Sequence, residues 1–224
     1  MKLFLVRRVG PLGLLLLGLP SLAAAGGKGE LLPVHISVFN YAPISGEMVE
    51  KAEREASRVL QDAGVETIWQ NCLRETREKS PDACGELSWA SHFDLRIIPR
   101  SRNLKGSALG IAFFADDGRG CCADLFYEPI LGLLEESDAS PSVVLGYAMV
   151  HELGHLLLGI DAHTPNGLMR AHWTREDLKN ASLGNLWFST EQSIRMRRRL
   201  RPQEHQAIEA VETVGELGNA ERFH

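Results

Sequence analysis

The chain has 224 residues, of which 44% are apolar and 24% charged, and a formal net charge of −5. That is enough apolar material for one good-sized globular domain, and it excludes a disordered or fibrous chain. The acidic balance leaves no basic footprint, so a nucleic-acid partner is not expected.

At the N-terminus, Lys2, Arg7 and Arg8 precede an apolar run from Leu12 to Leu19, and Ala23-Ala24-Ala25 follows as a small-residue cleavage site. This is the pattern of a secretory leader, so residues 1–25 read as a signal peptide cut after Ala25. The run is shorter than the roughly 20 apolar residues that a spanning helix needs, so no stable membrane anchor is expected after cleavage. No cysteine follows the site, which argues against a lipid anchor. Losing three basic residues and no acidic one would take the net charge from −5 to −8. The expected product is a secreted or periplasmic, monomeric protein, with residues 26–224 as a single domain: an N-terminal part over about 31–160, a C-terminal part over about 161–216, and a frayed tail.

From about Leu31 to Asn40, Val34, Ile36 and Val38 alternate with His35, Ser37 and Phe39, which predicts a strand with His35 on its surface. Ser45 and Gly46 open a helix that runs to about Ala63, with Met48, Ala52, Ala56, Val59 and Leu60 as its apolar stripe and Gly64 as its stop. Val65 to Trp69 is a second strand, and the strand-helix-strand order signals a parallel pair. Residues 71–91 read as irregular and polar. They hold Cys72 and Cys84, the favoured disulfide candidates, whose bond would stabilise the loop by roughly 3 kcal/mol on the chain-entropy model. Four cysteines allow three pairings, and the sequence does not choose among them.

Phe93 to Pro99 is a third strand. Residues 109–115 and 122–127, joined by the turn Asp116 to Gly120, predict a hairpin. The fold class is therefore α/β (α+β): a mixed, mostly parallel sheet with one antiparallel edge strand, a backing helix, a buried active-site helix and a small helical C-terminal part. Cys121 and Cys122 are neighbours in a strand and are expected as either a strained vicinal disulfide or two separate thiols.

Ser140 and Pro141 open a helix over Ser142 to about Leu158 that is apolar almost all round, so it should be buried. Three ionisable groups, His151, Glu152 and His155, sit in its middle, which argues against a membrane span and calls for partners. Gly159 ends it. Farther on, Ser189 to Gln192 is a capping box opening a helix to about Arg201, and its run of arginines reads as a solvated basic face.

His151-Glu152-Leu153-Gly154-His155 carries the chemistry. Two imidazoles four residues apart lie on one helix face within reach of a single Zn²⁺, and the glutamate between them can act as general base. A catalytic zinc commonly takes three protein ligands. The candidates for the third are His163, Asp161 and Glu176; His163 is favoured because imidazole suits zinc and Gly159 lets the chain turn back. Glu152 would take a proton from the attacking water and pass it to the leaving amine.

HELGH followed by a glycine, His163 and Met169 resembles the metzincin clan of zinc peptidases, whose pattern is H-E-x-x-H-x-x-G-x-x-H with a later Met-turn. Leu158 stands where that pattern has its glycine and Asp161 where it has its third histidine, so Gly159 and His163 are displaced by one and two positions. One branch of the clan uses Asp as third ligand, which keeps Asp161 in play. The resemblance implies that Met169 floors the metal site. It also implies that the edge strand, with Leu109, Gly110, Ile111 and Ala112, pairs with an extended peptide substrate. No Tyr follows Met169 in the clan's fifth-ligand position, and Arg170 and His172 are weak candidates for stabilising an oxyanion. The stretch from His151 to Trp173, with GLMRAHW, is also similar to a group of small exported bacterial proteins.

The expected function is thus an exported zinc metallopeptidase binding one Zn²⁺ and a peptide or protein substrate. Two alternatives stand beside it: a catalytically idle zinc-holding module that binds a peptide or partner, and a gluzincin-type peptidase with Glu176 as third ligand.

Overall fold

The computed structural model describes residues 31–72, 91–100, 108–116, 118–135 and 137–201. The expected leader at 1–25, the loop with Cys84 and hence its pairing to Cys72, and the C-terminal tail lie outside the described residues.

Five strands form one sheet: β1 (Leu32–Asn40), β2 (Val65–Cys72), β3 (His92–Ile98), β4 (Gly110–Phe114) and β5 (Gly120–Phe126), in the order β2-β1-β3-β5-β4. β1 runs parallel to β2 and β3, and β3 parallel to β5, while β4 pairs antiparallel with β5 at the sheet edge. The mixed sheet is the one that the hydrophobic pattern predicts. In β1, however, Ser37 and Phe39 are buried along with Val34, Ile36 and Val38. A central strand of a parallel sheet is covered on both faces, so the clean alternation expected of a half-exposed strand does not apply. Ser37 bonds through its hydroxyl to His92 Nε2 at 2.9 Å on the second face.

Helix α1 (Gly46–Asp62) starts where Ser45 Oγ accepts the Met48 N–H. Its buried stripe is Val49, Ala52, Glu53, Ala56, Val59 and Leu60, so Val49 takes the place expected for Met48. Glu53 is the surprise in that stripe. Asn71 Nδ2 donates to its Oε2 at 3.3 Å, while its Oε1 has no hydrogen-bond partner among the described residues.

Helix α2 (Tyr127–Glu135) continues directly from β5 and has no counterpart among the sequence expectations. Its Pro129 sits in the first turn, where a missing N–H costs the helix nothing, so the residue that hides the signal does not break the element. Helix α3 (Pro141–Leu158) is capped by Ser140 Oγ on the Val143 N–H, as expected. Every one of its residues from Val144 to Leu158 is buried, between α1, β5 and the C-terminal helices. No helix among the described residues is long and apolar enough to cross a membrane.

Helix α4 (Arg175–Ser182) opens on a capping box in which Thr174 and Asp177 cap each other. Helix α5 (Thr190–Leu200) does the same with Ser189 and Gln192. The α5 arginines are not simply a solvated face. Arg195 donates to the Leu158 carbonyl at 3.0 Å, and Arg197 to the Ala63 carbonyl at 2.7 Å. Both carbonyls belong to helix ends that lack intrahelical donors, and a guanidinium also suits the negative end of a helix.

Candidate functional site

One turn of α3 separates His151 from His155, so both rings project from the same face. His151 Nδ1 lies 2.9 Å from the Leu168 carbonyl oxygen. A carbonyl only accepts, so Nδ1 carries the proton and Nε2 presents its lone pair. Trp173 Nε1 donates to that same oxygen at 3.0 Å and sets its ring edge-on to His151, 5.8 Å between centroids. The Leu168 carbonyl therefore fixes both the tautomer and the orientation of the first histidine.

Gly159 ends α3 with φ at 100°, a backbone conformation open to glycine and strained for other residues, and its N–H closes on the His155 carbonyl at 2.8 Å. The chain turns through Ile160 and Asp161, anchors on buried Ala162 and returns His163 to the helix face. His163 Nε2 then lies 3.1 Å from His155 Nε2, which in turn lies 3.2 Å from His151 Nε2. The three side chains form a group whose ligand atoms all fall within 4.8 Å of one another. The extra residues between His155 and His163 are absorbed by this turn, so the displaced spacing does not prevent convergence.

This donor set fits a zinc ion. With ligand nitrogens at 2.0–2.1 Å, a tetrahedral ion separates them by about 3.3 Å, close to the two contacts above. Lone pairs facing one another at such distances repel unless a cation or a proton lies between them, and three imidazoles suit zinc. Burial pushes His151 down to about 4, and burial together with the neighbouring His163 pushes His155 down to about 4. Both rings are therefore neutral near pH 7, the form that binds a metal. Asp161 is exposed and outside the group. Glu176 lies in the first turn of α4, in a separate depression with Glu135 and Lys179.

Met169 is fully buried beneath α3. A Cβ built on Gly154 would lie 2.6 Å from its sulfur, so the glycine is what lets Met169 rise against the helix between the two histidines. The Thr164 N–H bonds the Met169 carbonyl at 2.9 Å, closing the loop that carries His163 at one end and Met169 at the other.

Glu152 projects into a cleft of about 530 Å³ between α3 and β4. Leu109, Gly110, Ile111 and Ala112 line it from the β4 side, the three histidines and Glu152 line it from the metal site, and Ile160 and Trp173 also contribute. The outer edge of β4 pairs with no other strand among the described residues. Burial pushes the Glu152 carboxyl up to about 8. Arg170 and His172 also line the cleft, but the Arg170 guanidinium is 3.1 Å from Asp177. Burial works to raise the Asp177 carboxyl, and bonds from Thr174 and Arg170 hold it below its ordinary value all the same.

Sequence reasoning singles out the histidines, Glu152, Met169 and the β4 residues. It misses the Leu168 carbonyl, which as a backbone group leaves no side-chain signal, and Trp173, whose indole N–H finds that carbonyl. It also misses why a glycine is needed at 110.

No model of a known protein family matches the chain, and no curated protein matches its sequence. Solved structures similar to it include two metalloproteins. One is the archaemetzincin of Methanopyrus kandleri, at 17% identity and a TM-score of 0.46, over 80% of this chain and 99% of that one. The other is metalloproteinase-II of Bacteroides fragilis, at 14% identity and a TM-score of 0.48, over 76% of this chain. The chain spans 54% of the length of the Bacteroides protein.

Proposed function

We propose that the protein is a zinc-dependent peptidase. The observation that carries this reading is the convergence of the Nε2 atoms of His151, His155 and His163 beside the Glu152 carboxyl, in a cleft walled by a free strand edge. A site for holding zinc alone has no need of a buried carboxyl facing a cleft, and burying one without a partner is costly. That favours catalysis over an idle zinc module.

An extended peptide would lie along β4, adding its backbone to the free edge between Gly110 and Phe114. Bound at the three histidines, zinc supplies a Lewis acid that polarises the scissile carbonyl and lets water react near neutral pH. Glu152 takes the proton from the attacking water on its carboxylate and delivers it to the departing amine nitrogen. Burial alone would keep the Glu152 carboxyl protonated near pH 7. The charge of a metal held at the three histidines would favour its carboxylate, the form that takes the proton, and the apolar setting then favours passing that proton on. His151 keeps its orientation through the Leu168 carbonyl, and Leu109 and Ile111 give the cleft an apolar wall against which a peptide can pack. The leader pattern at residues 1–25 supports an extracytoplasmic setting.

A peptide-library digest with the wild-type protein and Glu152→Ala tests the reading. Peptide hydrolysis should fall by at least about 10²-fold in the variant while zinc content is kept. Equal turnover in the two would remove Glu152 as the base.

A further inference from the structure

Cys121 and Cys122 lie outside the metal site and on the hairpin that forms its wall. Adjacent strand residues normally point to opposite faces. Here the register steps from Phe113 opposite Cys122 to Phe114 opposite Gly120, so Cys121 is an extra residue in β5, a β-bulge. Both are free thiols, and their Sγ atoms lie 3.2 Å apart. Cys121 is exposed and Cys122 half-buried, and the Cys121 thiol donates to the Phe113 carbonyl of β4.

We propose that Cys121 and Cys122 form a redox-active vicinal dithiol that closes to a disulfide by exchange with a low-molecular-weight disulfide. An S–S bond is about 2.05 Å long, so closure brings the two sulfurs about 1.2 Å nearer. Adjacent Cα atoms, about 3.8 Å apart, are closer than in ordinary disulfides, so the ring formed is strained and readily reduced again. The exposed Cys121 acts first: its thiolate attacks one sulfur of the reagent, forms a mixed disulfide and releases one thiol. Cys122 then attacks Cys121 Sγ, giving up its own proton and expelling the second thiol. The pair loses two hydrogens and two electrons, and the reagent disulfide gains them as two thiols. The order follows from access, and burial reinforces it by raising the Cys122 thiol, which makes the exposed Cys121 the first to react. Closure also removes the thiol donor from the Phe113 carbonyl, so the modification acts on the strand that walls the cleft.

The test uses the full chain, reduced, freed of reductant, incubated with oxidised glutathione, alkylated and mapped by mass spectrometry. The peptide with Cys121 and Cys122 should be two hydrogens lighter and closed to alkylation. Cys122→Ser should stop at a single glutathione on Cys121, and Cys121→Ser should react at least about tenfold more slowly. A trivalent phenylarsenical added to the reduced wild-type protein should bridge and protect both thiols of the Cys121–Cys122 peptide through one arsenic, which keeps the test independent of the variants. Two stable glutathione adducts on the wild-type pair, two alkylated thiols after oxidation, or no arsenical protection would overturn the proposal.

Discussion

A Cβ built on Gly110 would lie 2.6 Å from the carboxyl carbon and Oε1 of Glu152. β4 and α3 are thus in contact at a point where only a hydrogen fits between the Gly110 backbone and the Glu152 carboxyl. Gly110→Ala should turn the carboxyl away from the cleft. On the proposed chemistry, a displacement near 1 Å lowers kcat/KM by on the order of 10²-fold. The same Cβ would meet the Asp124 carbonyl at 2.7 Å, so hydrolysis should be compared with thermal stability and zinc content. Activity should fall with zinc content kept and with only the modest loss of stability that the Asp124 contact brings, and full activity would place Glu152 elsewhere.

Gly154 makes a second such contact, with Met169 below the histidine pair. Gly154→Ala would bring its methyl 2.6 Å from the Met169 sulfur and 3.0 Å from Phe188 Cε1. Overpacking of this kind costs about 1–3 kcal/mol, read as a lower denaturation midpoint. Met169→Ala fails in the opposite way: the cavity it leaves should cost about 2–5 kcal/mol. A Met169→Ala variant as stable as wild type would show that this loop does not support α3.

Much of this site is legible in the sequence because its signals are carried by side chains at helical spacing. His151, Glu152 and His155 announce themselves, and Gly159 tells where the helix stops. The convergence of His163 is harder to read, because it depends on a turn at Ile160 and Asp161 followed by a buried anchor at Ala162. The brace on His151 is invisible, since Leu168 contributes only its carbonyl. Among the fold elements, the sheet follows from periodicity, while α2 is concealed by Pro129. Helix α4 also has no counterpart among the sequence expectations, although Thr174 and Asp177 cap its start.

Glu53 offers a pH-dependent prediction away from the site. Burial pushes its carboxyl from 4.5 up to about 7. A carboxyl raised in the folded state binds its proton more tightly there than in the unfolded chain. Its contribution to stability is therefore full below about pH 4.5 and is lost as pH rises through about 7. Glu53→Gln should be more stable than wild type at pH 8 by roughly 2–3 kcal/mol, with the gap narrowing toward pH 4.5. Denaturant unfolding across that range measures it. A gap that does not change with pH would mean that the Glu53 carboxyl binds its proton equally well in the folded and the unfolded chain, with no upward shift.

The account rests on the three imidazoles holding one metal, and zinc stoichiometry of the purified full-length protein tests that most directly. Wild type should carry about one zinc per chain, as should Asp161→Ala and Glu176→Ala, while His151→Ala, His155→Ala and His163→Ala should lose it. A natively folded, metal-free wild type, or zinc kept in His163→Ala and lost in Glu176→Ala, would contradict the account.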